Sequence, residues 1–161
     1  MGPLDLRWSW AVVLSLIASV MLTSIPLPAW ITYWRPAWVA LALIYWCIAL
    51  PERIGVLTAW GIGILLDVLH GSLLGQHALG LAFVAFIAVW YHQRIRVFPL
   101  FQQAVVVGST IFIYQAWLLM IYNTLGSKQY PSTFLLGALT SAVVWPWLFI
   151  VLRDLRRHST P

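Results

Sequence analysis

The sequence predicts an all-α integral membrane protein, folded as a compact bundle of six transmembrane helices. Of the 161 residues, 62% are hydrophobic and 8% are charged, whereas a soluble domain carries roughly 25% charged residues. Apolar runs recur along the chain and lack the alternating polar residues of outer-membrane strands, which favours helices over a barrel. Since no hydrophilic block is long enough for an extramembrane domain, we expect residues 1–161 to form a single transmembrane domain.

Prolines and polar stretches divide the chain into helices. The first helix ends before Pro26 and Pro28, because proline removes a backbone donor and restrains the residue before it. The second begins at Pro36, where proline suits the first helical turn, and ends before Pro51. Pro146 predicts a kink in the last helix. The approximate helices are residues 8–25, 36–50, 54–69, 78–91, 101–122 and 133–152.

The second, third and fourth predicted helices are short. Each has about 15 residues, whereas ~20 are needed to cross a ~30 Å hydrocarbon core. We expect them to extend into their loops and complete six crossings. The alternative is that residues 71–77 dip into the membrane as a re-entrant segment, which requires cover from protein or water.

Basic residues predict the orientation. With the N-terminus inside, only Arg35 and Lys128 fall on the outer side. The inner side carries Arg7, Arg53, Arg94, Arg96, Arg153, Arg156 and Arg157. This positive-inside bias predicts that both termini are cytoplasmic. Because the net charge of +5 is scattered over helix ends, we expect no binding to nucleic acid.

Asp67 is one of only four acidic residues and lies in an otherwise apolar helix. A carboxylate at membrane depth is costly and normally has a partner. We expect Asp67 to pair with Arg35, at the start of the second helix, or else to bind nearby backbone donors. His70 shares a helix face with Asp67, and His77 follows, so a protonation or metal site is the alternative. Two ligands are too few for a closed metal site, which favours a structural polar contact.

Small residues recur at four-residue spacing on two predicted helices: Ala11, Ser15 and Ser19 on the first, and Ala104 and Gly108 on the fifth. Such faces allow another helix to approach closely, from this chain or from a partner. The predicted connection between the third and fourth helices contains Gly71, Gly75 and Gly80. We expect these glycines to permit a tight turn and close packing of the two helices.

Catalytic constellations are missing from the sequence. The serines at positions 9, 15, 19, 72 and 109 have no adjacent base, and no pair of carboxylates is spaced for acid–base chemistry. A phosphate-binding loop would need a lysine or a nucleotide fold beside the glycines. We therefore expect neither enzyme activity nor a cofactor or metal.

Three sequence features together resemble the MreD family of bacterial rod-shape-determining membrane proteins. These are the Arg35-Pro36 pair, the stretch Leu43-Ile-Tyr45-Trp46, and the block from Gly61 to Leu79. Chain length and the near absence of soluble loops match as well. Members often carry an acidic residue after the Arg-Pro pair, but Ala37 stands there in this chain, so that acidic group is absent.

The resemblance implies a non-enzymatic scaffold of the cell-wall elongation complex in the bacterial inner membrane. Such a scaffold binds MreC through a small-residue helix face, contacts membrane lipids, and links peptidoglycan synthesis by RodA and its class B transpeptidase to cytoplasmic MreB. The architecture is also similar to the substrate-binding components of vitamin transporters. That similarity provides the alternative, a small-molecule-binding subunit whose pocket would use Asp67, His70, Gln76, His77, Gln115 and Asn123.

Overall fold

The computed structural model describes residues 3–126 and 129–159. The helices are α1 (Pro3–Ser24), α2 (Ala29–Thr32), α3 (Trp38–Ala49), α4 (Val56–His70), α5 (Gln76–Val97), α6 (Leu100–Leu125) and α7 (Leu136–Ser159), with a 3₁₀ turn at Ser132–Leu135. The residues in these two ranges include no strand. The all-α prediction is therefore confirmed.

Helix α3 is the centre of the bundle. Ten of its twelve residues are buried, and a helix that is apolar on every side belongs in a core. Trp46 is fully buried and its Nε1 donates a hydrogen bond to Ser15 of α1, at 2.7 Å. At the start of α3, the Ala37 backbone N–H donates to Ser141 of α7, at 3.0 Å. The Ala37 backbone thus connects the start of α3 to α7.

Consecutive long helices run antiparallel and so define two ends of the bundle. In the α6–α7 pair, for example, Gln115 lies near Gly137, whereas Gln103 lies near Trp145. We call the end where α1, α4 and α6 finish the distal end. The opposite end, where α1 begins and α7 finishes, is the terminal end.

Four helices, α1, α5, α6 and α7, are longer than their predicted ranges, and α5 and α7 extend furthest beyond their predicted C-terminal ends. The polar residues 92–96, predicted as a turn, continue α5 to Val97, and α7 continues past Leu152 to Ser159. Arginine favours helices, and cations in a last turn interact favourably with the helix dipole. Phe98 follows α5 in an extended conformation and precedes Pro99, so the helix stops where proline disfavours its continuation.

Arg96 provides a reason for the longer α5. Its Nε and Nη2 atoms donate hydrogen bonds to the Ile48 carbonyl at 3.0 and 2.5 Å, and Nη2 also reaches the Ala49 carbonyl at 3.2 Å. These carbonyls belong to the last turn of α3, which has no partner within its own helix. The arginine therefore anchors the terminal ends of α3 and α5 to each other.

We expect Arg96→Ala to lower the free energy of unfolding by about 1–2 kcal/mol, because charged hydrogen bonds to a helix end are lost. Thermal unfolding in mild detergent measures this effect. Arg94→Ala, on the exposed side of the same helix, is the matched control. Equal shifts for the two variants would contradict a capping role for Arg96.

Within residues 3–126 and 129–159, three segments are long and apolar enough to cross a membrane: Gln76–Val97, Leu100–Leu125 and Ser132–Ser159. The shorter apolar helices are Ser9–Ser24, Trp38–Ala49 and Val56–His70. The six-crossing prediction therefore depends on these three shorter helices and remains a prediction.

Candidate functional site

Asp67 lies in the last turn of α4 and is fully buried. This helix ends at Gly71, whose φ of 62° is left-handed. The Gly71 N–H reaches the Val68 carbonyl at 3.3 Å, and the Ser72 N–H reaches the Asp67 carbonyl at 3.0 Å. These two bonds form a Schellman motif, which reverses the chain at the helix end. The reversal brings the next helix back over the Asp67 side chain.

The Asp67 carboxylate accepts hydrogen bonds from the chain that follows it. Its Oδ1 atom accepts from the Ser72 hydroxyl at 2.9 Å and from the His77 backbone N–H and Nδ1, both at 2.8 Å. Its Oδ2 atom accepts from the backbone N–H groups of Gly75 at 2.9 Å and Ala78 at 3.4 Å. The first N–H groups of a helix lack intrahelical partners, and a negative charge there is favourable. Asp67 of α4 thus caps α5.

Arg35 does not pair with Asp67 among the described residues, so that predicted ion pair is wrong. The guanidinium instead donates to the carbonyls of Thr23 and Ile25, where α1 ends. The Asp67 oxygens are already occupied by donors from their own loop, which fits the second expectation, of backbone donors. Asp67 consequently ties α4 to α5 rather than to α3.

The two histidines at this site have defined hydrogen bonds. A carboxylate oxygen can only accept, so His77 carries a proton on Nδ1. His70 Nδ1 is 2.9 Å from the Leu66 carbonyl oxygen and donates to it. The two rings stack with centroids 5.5 Å apart. In the part of the chain that the structure describes, no three His, Cys, Asp or Glu side chains are grouped to hold a metal ion.

The glycines of this segment have separate roles. Gly71 and Gly75 have φ angles of 62° and 98°, and a Cβ on either would meet nothing within 4 Å, so the turn requires their conformation. Gly80 lies against α6, where a Cβ would come within 2.7 Å of the Tyr114 ring. It does not pack α4 against α5, contrary to expectation. Gly63 does, since its Cβ would lie 2.3 Å from the Ala78 Cα. In the sequence, the position of Gly63 four residues before Asp67, on the same helix face, is the signal that could have identified this packing role.

The family described as "rod shape-determining protein MreD" matches residues 4–155, which include the whole α4–α5 hairpin. The chain belongs to the MreD family. The rod shape-determining protein MreD of Haemophilus influenzae is 30% identical over 149 residues, 92% of each chain. No solved structure matches the chain, so the similarity to vitamin-transporter components remains a prediction.

Within this MreD fold, the small residues of α1 face the interior. Ala11 is 3% exposed and Ser19 5% exposed, and Ser15 accepts the hydrogen bond from Trp46. The face therefore packs inside the bundle, chiefly through α3. It is not available to a partner helix.

The small residues of α6 also pack inside the MreD bundle. A Cβ on Gly108 would lie 2.7 Å from the Ala142 Cβ of α7. Ala104, one turn earlier, is partly buried against the core. Both small-residue faces singled out from the sequence thus join helices of the same chain.

The polar residues considered for a carrier pocket are dispersed in the MreD fold. Asn123 closes a loop, because its side chain bonds the Tyr130 N–H at 2.8 Å and carbonyl at 3.2 Å. Both carboxylate oxygens of Asp67 already accept hydrogen bonds from the α4–α5 hairpin. Gln76 lies outside the distal cavity, whose lining includes Gln115. Beside Gln115, the histidines His70 and His77 line that cavity. The structure therefore brings together only half of the set.

Proposed function

We propose that this MreD-family protein is a non-enzymatic scaffold of the cell-wall elongation complex, embedded as a multi-pass protein in the bacterial inner membrane. It binds MreC directly and, through that complex, links peptidoglycan synthesis by RodA and its class B transpeptidase to cytoplasmic MreB. The rod shape of the cell depends on this link. The observation that carries the proposal is the match to the MreD family over residues 4–155.

The hydrogen bonds that Asp67 already makes support a scaffold rather than a small-molecule carrier. Among the described residues, the donors to the Asp67 carboxylate all come from its own hairpin. A carboxylate that already accepts this many hydrogen bonds has little capacity left for a substrate. The same bonds fix two neighbouring helices, which is what a rigid platform for partner proteins requires.

The charge distribution supports cytoplasmic termini. Arg35 lies at the distal end, and Lys128 lies outside the described residues. The arginines at or near the terminal end are Arg7, Arg53, Arg94, Arg96, Arg153, Arg156 and Arg157. An excess of arginine marks the cytoplasmic side of a membrane protein. The distal end, with the Asp67 hairpin, then faces the periplasm.

We place the MreC membrane helix in the groove between α6 and α7. The groove has a volume of about 800 Å³ and is mostly apolar. Its lining combines small residues, including Ser109 and Ala138, with the larger side chains of Phe112 and Leu139. In lipid, helices associate where small residues let their backbones approach. The small face of α1 is occupied internally, whereas Gly108 and Ala142, where α6 and α7 meet, line this groove, so we assign this surface to the partner.

We expect Ser109→Trp to abolish co-purification of MreC in mild detergent, because the indole projects into the groove and blocks the close approach of a helix. Ser109 is exposed, so the substitution leaves the α6–α7 contact at Gly108 intact. Leu57→Trp is the matched control, since Leu57 is 84% exposed on α4, outside the groove. Recovery of MreC is measured by quantitative mass spectrometry.

Two results would contradict this assignment. One is undiminished recovery of MreC with Ser109→Trp, which would place the contact on another face. The other is recovery of a stoichiometric small molecule and an energy-coupling ATPase with the wild-type chain, in place of MreC. That result would favour the transporter alternative.

A further inference from the structure

Exposed polar side chains near the C-terminal end of α5 form a pocket of about 270 Å³ at the terminal end of the bundle. Its lining consists of Trp90, Tyr91, Gln93 and Arg94. Each of these side chains carries an N–H or O–H donor, and those of arginine and tryptophan can only donate. Since α5 contains no acidic residue, the pocket presents donors and a positive charge, which are the groups that bind a phosphate.

Arg94 has its guanidinium available for such an anion. The guanidinium lies over the Tyr91 ring, 5.9 Å from the centroid, and makes no ion pair or hydrogen bond among the described residues. Arg96, two residues later, instead donates to the carbonyls at the end of α3. The two arginines in the last turn of α5 therefore differ, because one binds inside the bundle and the other is exposed.

Aromatic side chains continue the same face of α5 toward the middle of the membrane. Phe83, Phe86, Trp90 and Arg94 follow one another at intervals of three and four residues, so they share one helix face. Phe83 and Phe86 are 47% and 48% exposed, and the Phe86 and Trp90 ring centroids are 5.4 Å apart. A rise of ~1.5 Å per residue puts Phe83 ~16 Å from Arg94, about half of a ~30 Å hydrocarbon core. The acyl chains of one leaflet occupy the same depth.

We propose that this surface binds an anionic phospholipid from the leaflet at the terminal end. The phosphate accepts hydrogen bonds from the Arg94 guanidinium and the Trp90 indole N–H, while an acyl chain lies along Phe86 and Phe83. A soluble phosphate would contact only the pocket, whereas a phospholipid contacts the whole surface. The site thus selects a headgroup, beyond the contact with lipids that every membrane protein makes. The orientation proposed above assigns the lipid to the cytoplasmic leaflet, but the site itself does not depend on it.

The test is a phospholipid titration of the purified full-length chain in mild detergent, measured by native mass spectrometry. The probes are phosphatidylglycerol, which is anionic, and phosphatidylcholine, whose choline cation offsets the phosphate charge, with the same acyl chains. We expect the first phosphatidylglycerol to bind about fivefold more tightly than phosphatidylcholine, the contribution of one arginine near anionic lipid. Glycerol phosphate at the same concentration is expected not to displace it.

Arg94→Ala is expected to weaken phosphatidylglycerol binding about fivefold, because the guanidinium donors and their charge are lost. Arg7→Ala is the matched control. Arg7 is exposed near the start of α1, at the same end of the bundle, so each variant lowers the net charge of the chain by the same amount. We expect Arg7→Ala to weaken binding less than about twofold, since salt screens a charge that does not touch the headgroup.

Three results would overturn the proposal. One is equal affinity for the two phospholipids. Another is an equal loss of affinity in Arg94→Ala and Arg7→Ala, which would mean that net charge alone attracts the lipid. The third is displacement of phosphatidylglycerol by glycerol phosphate at the same concentration, which would show that the acyl chain contributes nothing. None of these outcomes bears on MreC recovery with Ser109→Trp, so failure of this site and failure of the scaffold function are distinguishable.

Discussion

Asp67→Ala is expected to lower the free energy of unfolding by about 3–5 kcal/mol, the cost of removing one partner from a buried charged network. The substitution leaves the backbone N–H groups of Gly75 and Ala78 and both His77 donors without their acceptor. At 2–4 °C per kcal/mol for a chain of this size, Tm falls by about 10 °C. Thermal unfolding in mild detergent, with the yield of folded protein, measures the effect.

Asp67→Asn tests the hydrogen bonds of the carboxylate without changing the size of the side chain. Asparagine keeps one acceptor oxygen but points an NH₂ group at N–H groups that also donate. We expect it to be nearly as destabilising as the alanine variant. Asp154→Ala, at an exposed position on α7, is the control and is expected to change Tm by less than about 2 °C. A stable Asp67→Asn protein would contradict the capping role.

Gly63→Ala is expected to separate α4 from α5. Its Cβ would lie 2.3 Å from the Ala78 Cα and 2.6 Å from the Ala78 nitrogen. Because these are backbone atoms, no side-chain rotation relieves the overlap. Overpacking costs typically 1–3 kcal/mol, and we expect the upper end, about 3 kcal/mol.

Gly61→Ala, two residues earlier on the same helix, is expected to have the opposite effect on stability. A Cβ there would meet nothing within 4 Å, so the higher helix propensity of alanine stabilises the protein by about 0.5–1 kcal/mol. The two variants are compared by thermal unfolding under the same conditions. If both glycines tolerate alanine alike, the close contact between α4 and α5 at Gly63 is not required.

The sequence allowed the fold class to be predicted because composition and proline spacing are local signals. An apolar chain interrupted by Pro26, Pro36, Pro51 and Pro99 has few other ways to fold. Helix ends were harder, since Arg96 continues α5 in order to bond carbonyls of α3. That contact joins residues 48 positions apart in the chain, and no local pattern contains it.

The candidate site was predicted in part. Asp67 and His77 were singled out because polar groups stand out in apolar sequence, and the structure places them in hydrogen-bond contact. The partner Arg35 was chosen by depth alone, which ignores that Gly71 and Gly75 turn the chain back onto Asp67. The prediction of partner-binding faces from small residues failed for the same reason, because local spacing does not identify the neighbouring helix. Their spacing indicates close approach, but only the packed bundle identifies Trp46 and Ala142 as the neighbours.

The most direct test of the scaffold account is the width of cells from which this protein has been depleted. We expect rod-shaped cells to widen and become round, and the wild-type chain to restore their width. Ser109→Trp, present in the membrane at the wild-type level, is expected not to restore it. Cells that keep their width but need an added nutrient for growth would contradict the account and support a transport function.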